Sequence, residues 1–155
     1  MKIKVVALDI YGTVLAFDDC DDSFQPRKGL ADFLDACDRR GIMVVTSSDA
    51  FTGNVKNDLE IAFKLAAEVF SETRLRLERF DGFFQLNQGP KDFSVIIEHY
   101  RIAPEELLVI GDNIDKDFNG ALMVGATAIL CPKFGIAQGK DWDFAKIDLD
   151  EIGRP

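Results

Sequence analysis

Three short polar side chains each lie at the end of an apolar segment of the sequence. They are Asp9 after Val5–Leu8, Thr46 after Ile42–Val45, and Asp112 after Leu107–Ile110. If these segments are neighbouring parallel strands, the three side chains converge on one crevice, because ligands bind just beyond the carboxyl ends of such strands. The competing interpretation is that each residue caps the helix that follows it, since Asp, Ser and Thr are preferred capping residues.

The segment from Gly111 to Asp117 holds three acids within a few residues. Like charges at this spacing are unfavourable unless a cation neutralises them, and Mg²⁺ suits one or two carboxylates combined with water and phosphate oxygens. The residues from Asp115 onward also match the opening of an EF-hand calcium loop, but Ala126 stands where that loop needs a bidentate glutamate. The sequence therefore favours Mg²⁺ over an EF-hand calcium site.

Lys91 opens a helical pattern that runs to Tyr100. The helix dipole does not favour a cation at that end, so we expect this lysine to neutralise an anionic group. The alternative is a solvated surface lysine. His99, the single histidine, lies on the polar side of the same pattern and is predicted to be a surface residue.

The elements that must position these residues alternate along the chain. The predicted strands are Lys2–Leu8, Ile42–Val45, Phe83–Phe84, Leu107–Ile110, Thr127–Leu130 and an edge strand Phe144–Leu149. The predicted helices run from Pro26 to Gly41, from Asn54 to Arg79, from Lys91 to Tyr100 and from Asp117 to Val124. Short apolar strands that alternate with amphipathic helices predict an α/β fold with a parallel sheet buried on both faces.

The composition excludes several classes of partner. The chain has 155 residues, enough for one domain, and a net charge of −9. Such a surface repels nucleic-acid phosphates and anionic lipid, so we expect neither nucleic acid nor membrane as a partner. The widely spaced cysteines Cys20, Cys37 and Cys131 indicate reduced thiols and a cytoplasmic protein.

Together these motifs resemble the haloacid dehalogenase (HAD) superfamily of hydrolases. In order, the matching residues are Asp9–Thr13, then Thr46, then Lys91, then Gly111-Asp112 with Asp117. The resemblance extends from Val5 to about Ala128. It implies a three-layer Rossmann-like sheet with helices on both faces, which agrees with the alternation of elements.

The resemblance implies a role for each matching residue. Asp9 would be the nucleophile, and Thr46 would hydrogen-bond a transferring phosphoryl oxygen. Lys91 would keep Asp9 ionised and offset charge on the substrate. The implied Mg²⁺ ligands are Asp9, the backbone carbonyl of Tyr11, Asp112 and Asp117. Asp117 would support either the metal or Lys91.

Tyr11 stands where the phosphatases of this superfamily usually carry a second aspartate, which protonates the leaving group and then activates water. Tyrosine, with a pKa near ~10, is a poor base at neutral pH, so a phosphatase with this residue is expected to be slow. The pattern Asp-x-Tyr-Gly-Thr resembles instead the 2-haloacid dehalogenases, which need no metal. Asp112 favours the phosphatase, because dehalogenases typically carry serine there. We therefore rank metal-dependent phosphoryl chemistry above dehalogenation.

The spacing from Asp9 to Thr46, and from Thr46 to Lys91, leaves no room for a cap domain of the usual size. We predict a single domain, residues 1–155, with no large cap domain. An open site suits a large phosphorylated substrate, or closure by a neighbouring subunit in a homo-oligomer. In either case the acidic loop Phe17–Gln25 would lie over it. Besides the phosphatase and the dehalogenase, a catalytically weak partner-binding domain stays open.

Overall fold

The computed structural model describes residues 2–18, 23–49, 79–86, 89–132 and 142–152. Nearly all of the predicted helix Asn54–Arg79 lies outside these residues, as do Cys20 and the centre of the predicted loop Phe17–Gln25. The cysteines within them, Cys37 and Cys131, are buried free thiols, as predicted. No described helix is both long and apolar enough to cross a membrane.

Seven strands are present in the described part of the chain. They are β1 (Val5–Leu8), β2 (Leu15–Asp18), β3 (Ser23–Pro26), β4 (Met43–Ser48), β5 (Gly82–Gln85), β6 (Leu107–Gly111) and β7 (Thr127–Leu130). Five of them form one parallel sheet in the order β5-β4-β1-β6-β7, and β2 and β3 form an antiparallel hairpin directly after β1. The parallel sheet confirms the predicted α/β class.

Helices cover both faces of the sheet. The described helices are α1 (Leu30–Arg39), α2 (Ser94–Tyr100), α3 (Asn119–Met123) and α4 (Leu149–Ile152). Side chains alternate across a strand, so Val6 and Leu8 of β1 pack in the core under α1, whereas Val5 and Ala7 pack in the core under α2 and α3. Every residue of β1 and β6 is therefore buried, as in three-layer Rossmann-like folds.

Helices α1 and α2 begin later in the chain than predicted. Helix α1 begins at Leu30, because Pro26 still belongs to β3 and Gly29 has a left-handed backbone. Helix α2 begins at Ser94, whose amide donates to Asp92 across 3.1 Å. Lys91 therefore lies before the helix instead of in its first turn.

The predicted helix Asp117–Val124 is present with different bounds, and the predicted edge strand Phe144–Leu149 was wrong. A π-helical turn over Ile114–Phe118 precedes α3, so the helical segment starts before Asp117. The tail Phe144–Leu149 is not an edge strand but a 3-10 turn, Phe144–Lys146, followed by α4. The side chain of Asp143 accepts from the amide of Ala145 at the start of that turn, and these local bonds favour helical turns over a strand.

Candidate active site

Asp9, Thr46 and Asp112 lie at the same edge of the sheet. Leu8, the last residue of β1, is in register with Thr46 of β4 and with Ile110 of β6, and all three strands run in the same direction. Because β4 continues to Ser48, Thr46 lies inside the strand and not after it. Asp9 and Asp112 therefore come together as predicted, with one oxygen of each within 4.8 Å of the other, and Thr46 lies on the strand beside Leu8.

Three carboxylates meet at this edge. One oxygen from each of Asp9, Asp112 and Asp117 lies within 4.8 Å of the other two. Asp9 and Asp117 are buried and Asp112 is partly buried, so water screens their mutual repulsion poorly. Such an oxygen cluster suits a hard divalent cation such as Mg²⁺, which uses few carboxylates and completes its shell with water or phosphate oxygens.

Lys91 is the cation within this cluster. Its ammonium donates to Asp9 Oδ1 across 3.1 Å, to Asp117 Oδ1 across 2.7 Å and to the carbonyl of Ser47 across 2.8 Å. The residue is 2% exposed, and all three ammonium hydrogens have an acceptor. The alternative of a solvated surface lysine is therefore wrong, and Lys91 neutralises buried acids as predicted.

Asp117 is held on both of its oxygens. Oδ1 accepts from Lys91, and Oδ2 accepts from the backbone amide of Asn113 across 3.2 Å. A Cβ at Gly111 would overlap the Asp117 carboxyl, so only glycine allows this side chain to pack against the end of β6. Asp117 is therefore bonded directly to Lys91, which favours a role in supporting Lys91 over a role in supporting the metal.

Burial and crowding set the protonation of these groups. Burial, aided by the neighbouring Asp112, raises the pKa of Asp9 to about 7 against the opposing effect of Lys91. Burial and repulsion from Asp9 raise the pKa of Asp117 to about 6. Burial on its own would lower the pKa of Lys91, but the charges and hydrogen bonds of Asp9 and Asp117 outweigh it and raise that pKa. A further cation at the carboxylates would favour their ionised forms.

The turn after Asp9 brings Gly12 against the carboxyl of Asp112. Gly12 has φ of +92°, a left-handed backbone that glycine adopts without strain, and a Cβ there would overlap the carboxyl of Asp112. The amide of Gly12 donates to the carbonyl of Leu15 across 2.8 Å and closes the turn. Tyr11 lies in this turn, partly buried and packed against the core.

Thr46 has a hydroxyl without an acceptor among the described residues. Its residue is 0% exposed, and Oγ1 makes no hydrogen bond to any described residue. Buried hydroxyls are normally hydrogen-bonded, and an exception calls for a specific explanation. A phosphoryl oxygen bound next to Thr46 would accept this bond, which is compatible with the role that the resemblance implies for Thr46.

A cavity of about 500 Å³ opens beside Asp112. Its other lining residues in the described chain are Asn113, Ile114, Asp115, Leu130, Cys131, Pro132 and Trp142.

His99 is exposed, which confirms its predicted surface position, and its ring contacts the rings of Phe84 and Tyr100 edge-on.

Several contributors to this site were not predicted from the sequence. The carbonyl of Ser47 and the amide of Asn113 act through the backbone, so their side chains carry no signal for these contacts. Arg27, a buried arginine, was also missed, although a basic residue so soon after the first motif is a signal that could have been noticed.

A family model matches part of the chain. Residues 89–149 match a family model described as HAD-hydrolase-like. This region contains Lys91, Asp112 and Asp117 but not Asp9 or Thr46. No curated protein matches the chain significantly.

Solved structures share the fold at low sequence identity. A predicted phosphoglycolate phosphatase from Haemophilus somnus aligns with a TM-score of 0.70 and 13% identity over 99% of both chains. A HAD-superfamily hydrolase from Ehrlichia chaffeensis aligns with a TM-score of 0.62 and 16% identity, covering 98% of this chain and 97% of that one. A HAD family enzyme from Bacteroides thetaiotaomicron, in complex with magnesium and inorganic phosphate, has a TM-score of 0.62 and 14% identity over 94% of this chain and 100% of that one.

Proposed function

We propose that this chain is a HAD-superfamily hydrolase, a Mg²⁺-dependent phosphatase that acts through an aspartyl-phosphate on Asp9. The observation that carries the proposal is the buried cluster in which Lys91 bonds Asp9 and Asp117, with Asp112 beside them. The family model and the phosphatase-related structures that share the fold support the same conclusion.

The residues present fit Mg²⁺. The oxygens of Asp9, Asp112 and Asp117 are close enough to surround one ion. Burial raises the pKa values of Asp9 and Asp117, and a cation beside them would favour their ionised forms. Asp9 and Asp112 are the direct ligands that we propose, together with the carbonyl of Tyr11. Asp117 uses both oxygens within the protein and would complete the site or hold Lys91. When bound, Mg²⁺ would neutralise charge on the phosphoryl group and favour the ionised form of Asp9.

Asp9 performs the first chemical step of the proposed reaction. One of its carboxylate oxygens attacks phosphorus, and the bond from phosphorus to the leaving alcohol oxygen breaks. Lys91 stabilises the charge on Asp9, and Thr46 donates its unpartnered hydroxyl to a phosphoryl oxygen. A water molecule then attacks the aspartyl-phosphate, which releases phosphate and restores Asp9.

Tyr11 makes both proton transfers slow. The leaving oxygen must gain a proton and the attacking water must lose one, and a phenol is a poor base for this at neutral pH. We therefore propose that the aspartyl-phosphate accumulates. The same residue favours a second candidate function, a 2-haloacid dehalogenase-like hydrolase, in which Asp9 displaces a halide. The third carboxylate at Asp112 argues against it, because that reaction needs no metal ligand.

Intact-protein mass spectrometry tests the proposal. Incubation with p-nitrophenyl phosphate and Mg²⁺ should add one phosphoryl group, which peptide analysis should locate on Asp9. Asp9→Asn should abolish both the adduct and phosphate release. Asp115→Asn is the matched control, because Asp115 lies in the same segment as Asp112 but is exposed and outside the cluster.

Two results would contradict the phosphatase proposal. One is turnover that persists in Asp9→Asn, which would place the chemistry elsewhere. The other is halide release from 2-haloacids in the presence of a metal chelator, with no phosphate release from any ester. That second result would establish the dehalogenase-like function in its place.

A further inference from the structure

Arg27 is a buried cation beside the first motif. The residue is 4% exposed and lies directly after the β2–β3 hairpin. Its Nε donates to the carbonyl of Thr13 across 3.3 Å, and its Nη2 donates to the carbonyl of Gly12 and, across 3.0 Å, to that of Pro132. One guanidinium therefore joins the turn at Gly12 and Thr13 to Pro132, which follows β7.

The contacts of Arg27 are unusual for a buried arginine. No described carboxylate lies within ion-pair distance of it, and Nη1 makes no hydrogen bond to any described residue. The guanidinium carbon lies 5.6 Å from the ring centre of Trp142, which in turn packs edge-on against Phe144 at 4.6 Å. A buried charge without an ionic partner is costly, so its position near the nucleophile calls for a specific reason.

Gly12 supplies that reason, because it contacts both Arg27 and Asp112. The carbonyl of Gly12 accepts from Arg27, while the space above its Cα is filled by the carboxyl of Asp112. A rotation of the Gly12 peptide would break the first contact and disturb the second. It would also move the adjoining peptide of Tyr11, whose carbonyl is a proposed Mg²⁺ ligand.

We infer that Arg27 is a positioning residue for the metal and nucleophile site: it holds the Gly12 and Thr13 carbonyls so that Asp9, the Tyr11 carbonyl and Asp112 keep the geometry for one Mg²⁺. This inference rests on the proposed function. A planar guanidinium presents several donors in a fixed fork, whereas an ammonium cannot bond three separated carbonyls in the same geometry. Charge alone therefore does not replace Arg27.

Isothermal titration of Mg²⁺ into metal-free protein tests the inference without relying on turnover. Arg27→Lys should weaken Mg²⁺ binding by roughly 10- to 100-fold, the usual effect of losing a residue that orients metal ligands. Arg27→Met should weaken it at least as much. In phosphate-release assays at a fixed Mg²⁺ concentration, kcat should fall more than KM changes, because Arg27 contacts no substrate in this proposal.

Arg40 provides a matched control for structural effects. It also bonds a backbone carbonyl, that of Ala36, and pairs with Asp150 through two nitrogens, but it lies outside the carboxylate cluster. Arg40→Met should lower the unfolding midpoint and leave the Mg²⁺ dissociation constant unchanged. Urea unfolding of all variants separates loss of stability from loss of metal affinity.

The outcomes distinguish this inference from the proposed function. If wild-type protein binds Mg²⁺ and both Arg27 variants bind it equally well while folded, the positioning role is wrong and the phosphatase proposal stands. If Arg27→Lys raises KM with kcat and Mg²⁺ affinity intact, the role is also wrong. If wild-type protein binds no Mg²⁺, the proposed function itself fails.

Discussion

Lys91 donates a 3.1 Å hydrogen bond to Asp9 from a position 82 residues later in the chain, and this buried pair is the centre of the site. A carboxylate can serve as a nucleophile only while it is ionised, and burial works against that form. Lys91 supplies the nearest opposing charge. The same ammonium donates a second hydrogen bond, to Asp117, across 2.7 Å.

Removal of Lys91 should therefore destabilise the protein strongly. Lys91→Met leaves Asp9 and Asp117 buried without their cation, and we expect the free energy of unfolding to fall by about 3–5 kcal/mol in urea titrations. Lys4→Met is the control, because the Lys4–Glu106 pair has a similar 2.8 Å separation but a lysine side chain that is 57% exposed. Equal losses in the two variants would contradict a structural role for the buried pair.

Thr46→Val should raise the stability of the protein and lower its activity. The hydroxyl of Thr46 is buried without a described partner, and burying such a group costs about 1–3 kcal/mol, so its removal should raise the free energy of unfolding. Loss of a hydrogen bond to a charged phosphoryl oxygen should lower kcat/KM by roughly 10-fold or more. Urea unfolding and phosphate release measure the two effects.

Thr46→Ser is the matched control, because it keeps the hydroxyl and should retain most of the activity. A Thr46→Val protein that is less stable and fully active would show that the hydroxyl serves the fold and not the substrate.

Tyr11→Asp should accelerate the release of phosphate. A carboxylate two residues after Asp9 supplies the missing acid and base, an effect worth about 10²- to 10⁴-fold where proton transfer limits the rate. The aspartyl-phosphate on Asp9 should then disappear faster in quenched mass-spectrometric time courses. Tyr11→Phe keeps the ring without the hydroxyl and should leave the lifetime unchanged. If Tyr11→Asp does not shorten the lifetime of the aspartyl-phosphate, Tyr11 is not the cause of slow phosphate release.

Mg²⁺ should stabilise the folded chain through Asp112. At a metal concentration of about 100 times the dissociation constant, the expected gain is about 2.7 kcal/mol, seen as a higher thermal midpoint that a chelator reverses. Asp112→Asn should lose most of this gain. Asp115→Asn, exposed in the same segment, should keep it. A midpoint shift in Asp112→Asn as large as in wild-type protein would place the ion elsewhere.

Local sequence patterns were sufficient for the α/β class and for the strand ends at which Asp9 and Asp112 lie. The apolar run Val5–Leu8 has no polar side because both faces of β1 are covered, and the same holds for β6. Asp9 and Asp112 follow these strands directly, so parallel pairing alone brings them to one edge. The tail from Phe144 was predicted wrongly, because side-chain bonds from Asp143 outweigh an alternating pattern of apolar residues there.

The sequence by itself determined which elements alternate and which polar residues end the strands, because both depend on neighbours within a few positions. Only the tertiary structure decided which hydrogen bonds these residues make. Lys91 finds Asp117 at a separation of 26 residues, and Arg27 finds the Pro132 carbonyl at a separation of 105. Such pairs depend on strand order and on backbone carbonyls, which every residue type carries and which therefore leave no mark in the sequence.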